Sequence, residues 1–347
     1  MDIFYYAARE GNFGDDLNQW LWASLWPEIT SPAHGPALLV GIGTILGKKI
    51  PEKAEAWPKY VLGSGVGYDP LPHYDSSWHF LAVRGPISAK LLGLKPEVAI
   101  TDSALLLRAL PQYQKEPKTR SGVVFMPHLS AAEAGRWAEV CAQAGITYLD
   151  PRWDSKVLLE KIQSAELVLA DAMHAAICAD VLRTPWIPLC TSHEISTFKW
   201  KDWTLSLNVP YHPTDLPPSC VAEALRNMLY PFFHTPARLP AAQVAQWNDE
   251  EALKVLCEHH HLLHVQKKSG IVSYTLLRGF GFSIRRLRQI FFPFIDSWLI
   301  QRAAKKLRAC AALPPVLSTT KRQNQALNDL KKAFERMKTA VRKTSNS

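Results

Sequence analysis

Asp171-Ala-Met-His-Ala-Ala-Ile-Cys-Ala-Asp-Val-Leu-Arg-Thr-Pro-Trp-Ile-Pro-Leu189 is the stretch whose reading decides the fold. An apolar strand, Ala165-Glu-Leu-Val-Leu-Ala170, leads into it. A helix is predicted from about His174 to Arg183, and Pro185-Trp-Ile-Pro-Leu189 reads as the next strand. Apolar strand, apolar helix and apolar strand in close succession indicate parallel strands covered on both faces. In open parallel sheets ligands collect beyond the carboxyl ends of the strands, near helix N-termini that favour anions. His174 stands at such a point, and imidazole transfers protons near neutral pH.

The same alternation extends in both directions. Upstream, strands are predicted at Ile3 to Tyr6, Ala37 to Gly41, Tyr60 to Leu62, His79 to Val83 and Val98 to Thr101. A Trp- and Leu-rich helix opens after Gly11-Asn-Phe-Gly-Asp-Asp-Leu17, and another runs from Ile87 to Leu92 with Pro86 in its first turn. A polar, Pro-containing stretch, residues 111–120, reads as a connection. Beyond it come strands at Val123 to Met126, Thr147 to Leu149, Leu167 to Ala170 and Ile187 to Leu189. Helices are expected near Ala131 to Ala144 and Ser155 to Ser164. The expectation is an α/β protein of two Rossmann-like domains, residues 1–112 and 121–265, facing a cleft in a GT-B-like manner, with a basic helical tail over 281–347.

Composition narrows the class. The 347 residues are 47% hydrophobic, enough for two ordinary cores, and no run has the length of an uninterrupted membrane span. A cytoplasmic body is expected. Six scattered cysteines without C-x-x-C spacing read as reduced, buried thiols. Of 40 Lys and Arg, 15 fall in residues 281–347, against 3 of the 31 Asp and Glu, so the net charge of +9 belongs to the tail. There Ile284, Leu287, Phe291, Phe294, Trp298 and Leu299 alternate with Arg285, Arg286, Arg288, Lys305 and Lys306. Such a segment suits the surface of an anionic membrane, and this is favoured over packing on the body. The charge comes with no nucleic-acid recognition module.

Several motifs sit at strand ends. Gly11-Asn-Phe-Gly-Asp15 has the context of a phosphate-cradling loop but lacks dinucleotide-binding spacing; the plainer reading is a tight turn capped by Asn12 or Asp15. Gly41-Ile-Gly-Thr44 and Gly63-Ser-Gly-Val-Gly67 add two more glycine clusters, and together the three suggest a surface for a ligand. Arg84 before Pro86 suits bidentate anion recognition or, equally, an ion pair with Asp102. His128 follows a strand of the second half. Lys199 and Lys201 are interleaved with Trp200 and Trp203, a mixture that suits a sugar and an anion or a buried helix face. His260 and His264 have the spacing of a metal pair on a helix, but without further ligands they read as a polar face.

Taken together these segments resemble the polysaccharide pyruvyl transferase family, in particular the ketal pyruvate transferases of exopolysaccharide synthesis. The resemblance lies in Gly11-Asn-Phe-Gly-Asp15, Gly63-Ser-Gly65, Arg84-Gly-Pro-Ile-Ser88, Thr101-Asp-Ser-Ala104, Met126-Pro-His128, Met173-His174-Ala175 with Pro185-Trp-Ile187, and Phe198-Lys-Trp-Lys-Asp-Trp203. These occur in family order across residues 3 to 212. The resemblance implies transfer of a pyruvyl group from phosphoenolpyruvate to two hydroxyls of one sugar, with release of phosphate. It makes His174 the catalytic position. Gly11, Asn12, Gly14, Asp15, Ser64, Gly65, Arg84, His128, Met173 and Lys199 become candidate substrate-binding residues. The chemistry requires no metal and no cofactor besides phosphoenolpyruvate as donor substrate. A lipid-linked oligosaccharide acceptor, and a peripheral position on the inner face of the plasma membrane, would accord with the tail. Many family members carry Arg-Leu-His where this chain has Ala172-Met-His174, leaving Arg84, Arg183 or Lys199 to supply the missing cation. The competing readings are a glycosyltransferase using a nucleotide sugar, with Glu194 as the ribose ligand, and a non-catalytic assembly factor.

Overall fold

The computed structural model describes residues 1–67, 69–244, 246–265 and 293–344. Its frame is two parallel sheets. The first has the order β1 (Asp2–Phe4), β2 (Leu38–Val40), β3 (Lys59–Ser64), β4 (Trp78–Val83). Ile3 lies opposite Leu39, Leu39 opposite Tyr60, and Val61 opposite Phe80. The segment predicted as a fifth strand, Val98 to Thr101, contributes only a bridge between Ala99 and Val83. Pro96 starts a 3-10 turn there, Pro96–Val98, which uses up the residues needed for a ladder.

The second sheet comprises β5 (Val123–Met126), β6 (Thr147–Tyr148), β7 (Leu167–Ala170), β8 (Trp186–Cys190) and β9 (Thr214–Asp215), in the spatial order β6-β5-β7-β8-β9. The order of strand addition reverses between the parallel neighbours β5 and β7, since β6 lies on one side of β5 and β7 to β9 on the other. A crevice opens at the carboxyl ends of such a pair, because the following helices leave to opposite faces. The four buried apolar residues of β7 and the five buried residues of β8 match strands covered on both sides.

The helices follow their sequence signals with two breaks. After β1 the chain forms a short helix α1 (Phe13–Asp16), a 3-10 turn and α2 (Leu21–Leu25) in place of one continuous helix. The helix expected over Ala131 to Ala144 is split at Gly135-Arg136 into α4 (Leu129–Ala134) and α5 (Trp137–Ala144); α3 is Pro86–Leu91. The split has a cause: the backbone N–H of Arg136 donates to Ser219 Oγ at 2.7 Å and so leaves the helical ladder. Then come α6 (Ser155–Ser164), capped by Asp154, α7 (Met173–Val181), α8 (Thr197–Leu207), α9 (Val221–Phe233), α10 (Ala241–Val244) and α11 (Asp249–Val265).

The described part of the basic tail, residues 293–344, packs on the body. In α12 (Pro293–Cys310), Ile300, Ala303, Ala304, Leu307 and Cys310 are buried in the core of the second sheet. In α13 (Thr320–Thr344), Ala326, Leu330, Ala333, Phe334, Met337 and Val341 are buried with Trp22, Trp26, Tyr60, Leu62 and Ala82 of the first half. The connection between α12 and α13 is tied down by Asp180 of α7, which accepts from Ser318 N at 2.7 Å. Of the residues expected to face a membrane, Ile284, Leu287 and Phe291 lie outside the described residues. Leu299 is buried, while Phe294 and Trp298 are exposed. All six cysteines are free thiols, five of them buried.

Candidate active site

The loops at the carboxyl ends of β5 and β7 supply one wall of a pocket, and α1 supplies the other. Its lining includes Asn12, Phe13, Gly14, His128, Met173, His174, Ser196, Lys199 and Trp200. The site therefore lies where the two sheets meet. The backbone N–H of Phe13 donates to Pro151 O at 2.8 Å, joining the first half to the loop before α6.

Asp171, immediately after β7, shapes the second wall. It is fully buried, and its carboxylate accepts from His128 N at 2.7 Å, Thr191 N at 3.0 Å and Thr191 Oγ1 at 2.8 Å. One side chain thus fixes the loops after β5, β7 and β8 around the crevice. Burial pushes its carboxyl up to about 6, against these hydrogen bonds. His128 caps α4: Ser130 N donates to its Nδ1 at 3.3 Å, which leaves Nε2 to carry the ring proton. Burial, with the nearby cations Lys199 and Arg226, brings His128 down to about 3, so it is a neutral donor at physiological pH.

His174 is the second residue of α7, whose cap residue, Ala172, supplies no side-chain oxygen. Its ring lies against Gly14 of α1, and a β-carbon there would overlap the imidazole. Its Nε2 faces Asp102 Oδ2 at 3.7 Å. Asp102 is the N-cap of the 3-10 helix Ser103–Ala109, with its other carboxylate oxygen accepting from Ala104 N at 2.9 Å. Asp15 sits behind Asn12, whose side-chain amide donates to it. Burial raises Asp15 to about 6, opposed by the charges of His174 and Lys199. Burial lowers Lys199 to about 8, assisted by the charge of Arg84 and opposed by Asp15. Asn18 anchors this wall: its amide spans Asp15 O, Ile42 O and Ile42 N, each at 2.8–2.9 Å.

A family model described as polysaccharide pyruvyl transferase matches residues 59–193. The succinoglycan biosynthesis protein ExoV of Rhizobium meliloti (strain 1021) is 42% identical over 227 residues, covering 65% of this chain and 71% of that protein. The chain belongs to the polysaccharide pyruvyl transferase family. No solved structure matches it. The span shared with the pyruvyl transferase model contains Asp102, His128 and His174 and ends before Lys199.

The pocket gathers Asn12, Gly14, His128, Met173, His174 and Lys199 from the candidates read in the sequence. It does not gather the rest. Gly11, with φ of +89°, turns the chain beside Arg152. Asp15 lies one layer behind the lining. Ser64 is buried and donates to Val40 O at 3.0 Å. Gly65 is required because a β-carbon would overlap the Arg84 guanidinium. Arg84 itself is fully buried and pairs with Asp202 at 3.2 Å in place of the anticipated Asp102. Its remaining donors go to Thr44 Oγ1 and Val66 O, both at 2.8 Å. The glycine-rich loops after β2 and β3 thus serve this close packing. Trp200 stacks on Tyr211 and Trp203 lies against Trp186, so both belong to the core, with only Trp200 reaching the pocket. No group of three metal-ligating side chains occurs among the described residues.

Asp102 was the residue the sequence left without a role at the site. Its signal was present, an Asp-Ser pair after an apolar segment, but its partner lies 72 positions away on α7, in the other half of the chain.

Proposed function

We propose that this chain transfers the pyruvyl group of phosphoenolpyruvate to two hydroxyls of one sugar residue on a lipid-linked oligosaccharide, forming a cyclic ketal in exopolysaccharide biosynthesis. The relative named for succinoglycan biosynthesis supports a glycan acceptor. The observation that carries the reading is the pocket's inventory: one ammonium, Lys199, one neutral histidine donor, His128, and one further histidine, His174, at the N-terminus of a nine-residue helix. Among the three cations considered, Lys199 is the one that lines it. Arg84 is held by Asp202, and Arg183 donates to Ser318 O at 2.8 Å and Ser318 Oγ at 3.2 Å.

In this reading Lys199, His128 and the N-terminus of α7 hold the phosphate and carboxylate of the donor. His174 gives a proton to C3 of the enol, which makes C2 electrophilic, and the first sugar hydroxyl bonds to C2 while returning its proton to His174. The second hydroxyl then bonds to C2 as the C2–O bond to phosphate breaks, and its proton departs with the phosphate. Two hydroxyls lose protons; one proton ends in the new methyl group and the other on phosphate.

A GT-B-like pairing of residues 1–112 with 121–265 is part of the proposal, supported by two Rossmann-like sheets meeting at the pocket. The nucleotide-sugar alternative is disfavoured because Glu194, its expected ribose ligand, is engaged by Arg226 at 2.7 Å and does not line the pocket. Peripheral contact with the inner face of the plasma membrane is supported by exposed Phe294 and Trp298 on α12 beside Arg302. No described helix is long and apolar enough to cross a membrane.

The test is incubation of the purified protein with phosphoenolpyruvate and lipid-linked oligosaccharide, following phosphate release and pyruvate incorporated into glycan, with His174→Ala in parallel. Incorporation that depends on His174 is expected. Transfer from a nucleotide sugar instead, or full activity in His174→Ala, overturns the reading.

A further inference from the structure

Among the described residues, two buried side-chain atoms that lack a hydrogen-bond partner face each other: His174 Nε2 and Asp102 Oδ2, 3.7 Å apart. An unpaired buried polar group is costly, so two that point at one another form a pair one small rotation short of a hydrogen bond. Asp102 has no access to water, and its other oxygen is committed to Ala104 N. The 3-10 helix that carries it packs on α7, bringing a carboxylate from the first half under a histidine of the second.

We infer that Asp102 is a positioning residue: its Oδ2 accepts the Nε2 proton of His174, which fixes the tautomer and makes Nδ1 the nitrogen that exchanges protons with substrate. Nδ1 is the ring nitrogen on the side of Gly14, a pocket-lining residue whose missing β-carbon leaves room for the ring. The other charged and titratable groups around the ring are Asp15 on α1, Lys199 on α8, His128 across the pocket and Cys178 further along α7, beside Asp102. Asp102 is the one that stands opposite Nε2. When Nδ1 takes a proton from the first sugar hydroxyl, the imidazolium is held between that oxygen and the Asp102 carboxylate, which forms no other ion pair among the described residues. Orientation and charge stabilisation thus come from one residue that never touches substrate.

The inference rests on the pyruvyl-transfer reading for its catalytic consequence, but not for its geometry. The primary experiment is therefore ¹⁵N NMR of histidine-labelled wild-type protein at a pH where His174 is neutral, assigned by comparison with His174→Gln. A proton on Nε2 is expected; a proton on Nδ1 overturns the inference whether or not the protein transfers pyruvate. In the transfer assay, Asp102→Asn is expected to lower kcat by on the order of 10²- to 10⁴-fold. KM for phosphoenolpyruvate should stay within about 3-fold, since the uniform binding contacts remain. The basic limb of the kcat/KM profile should move to lower pH, because the imidazolium that must give its proton to C3 loses its anionic neighbour. Retention of both kcat and the pH profile overturns it. Should Asp102→Asn fail to fold, the wild-type tautomer still decides. Wild-type protein with the Nε2 proton but no transfer would reject the pyruvyl-transfer reading alone.

Discussion

Gly14 and His174 occupy what would be one volume: the imidazole lies where a side chain at position 14 would begin. Gly14 sits inside α1 without a positive φ, so alanine is acceptable to its backbone and favoured by helix propensity. The obstacle is entirely the ring. Gly14→Ala is expected to keep the fold, as judged by circular dichroism and melting. It should also displace His174 and reduce pyruvyl transfer by about 10²-fold or more, the effect of misplacing a catalytic group by about 1 Å.

Lys199 supplies the pocket's ammonium. Replacing it with methionine should weaken phosphoenolpyruvate binding by about 10- to 100-fold, the value of a charged hydrogen bond. Because burial lowers Lys199 to about 8, donor affinity of the wild type should fall as pH rises through that value. Titration calorimetry with phosphoenolpyruvate between pH 6.5 and 9 checks both; a flat profile would remove Lys199 from donor binding.

Asp202 joins the halves away from the pocket. Its carboxylate accepts from Ile87 N at 3.0 Å, Ser88 N at 2.9 Å and Ser88 Oγ at 2.6 Å, besides pairing with Arg84. Asp202→Ala strands a fully buried guanidinium and uncaps α3. A loss of about 3–5 kcal/mol is expected, measured by urea denaturation.

Three buried carboxyls are pushed up by burial: Asp15 and Asp171 to about 6, and Glu223 to about 7. Each binds a proton more readily folded than unfolded, so its contribution to stability is complete below about pH 4 and lost as pH rises through its folded value. Buried His128, lowered to about 3, opposes them below its unfolded value of 6.5, one group against three. Lys199 acts in a separate window, adding stability as pH rises from about 8 to 10.5. The melting temperature should therefore be higher near pH 5.5 than at pH 7.5. Glu223→Gln should shrink that difference; an unchanged difference would exclude Glu223 as a source.

Much of the second sheet was legible because its strands are short apolar runs bounded by turn residues: the predicted limits Val123 to Met126 and Leu167 to Ala170 are those observed. β9, two residues long, offered no periodicity to read. The site was legible as far as single residues at strand ends announce it, as His174, His128 and Lys199 do. Pairings across the two halves were not. Arg84 required Asp202 and His174 required Asp102, and neither choice follows from local pattern, since both partners are set by how α8 and the 3-10 helix Ser103–Ala109 dock. In the tail the amphipathic period was correct, but period alone does not say which surface the apolar face meets. For α12 and α13 it meets the protein core.

The packing of α13 bears on how the chain is made. Thr320 lies 237 positions after Val83, yet α13 covers the sheet that ends at Val83, with Phe334 against Trp22 at a ring-centroid distance of 6.1 Å. At about 5–20 residues per second of synthesis, that sheet waits on the order of ten seconds or more for the helix that shields it. During that interval Trp22, Trp26 and Tyr60 have no native cover from α13. A chain cut short before α13 lacks the helix that buries these aromatic side chains, so the native packing of the first half depends on a segment made more than two hundred residues later.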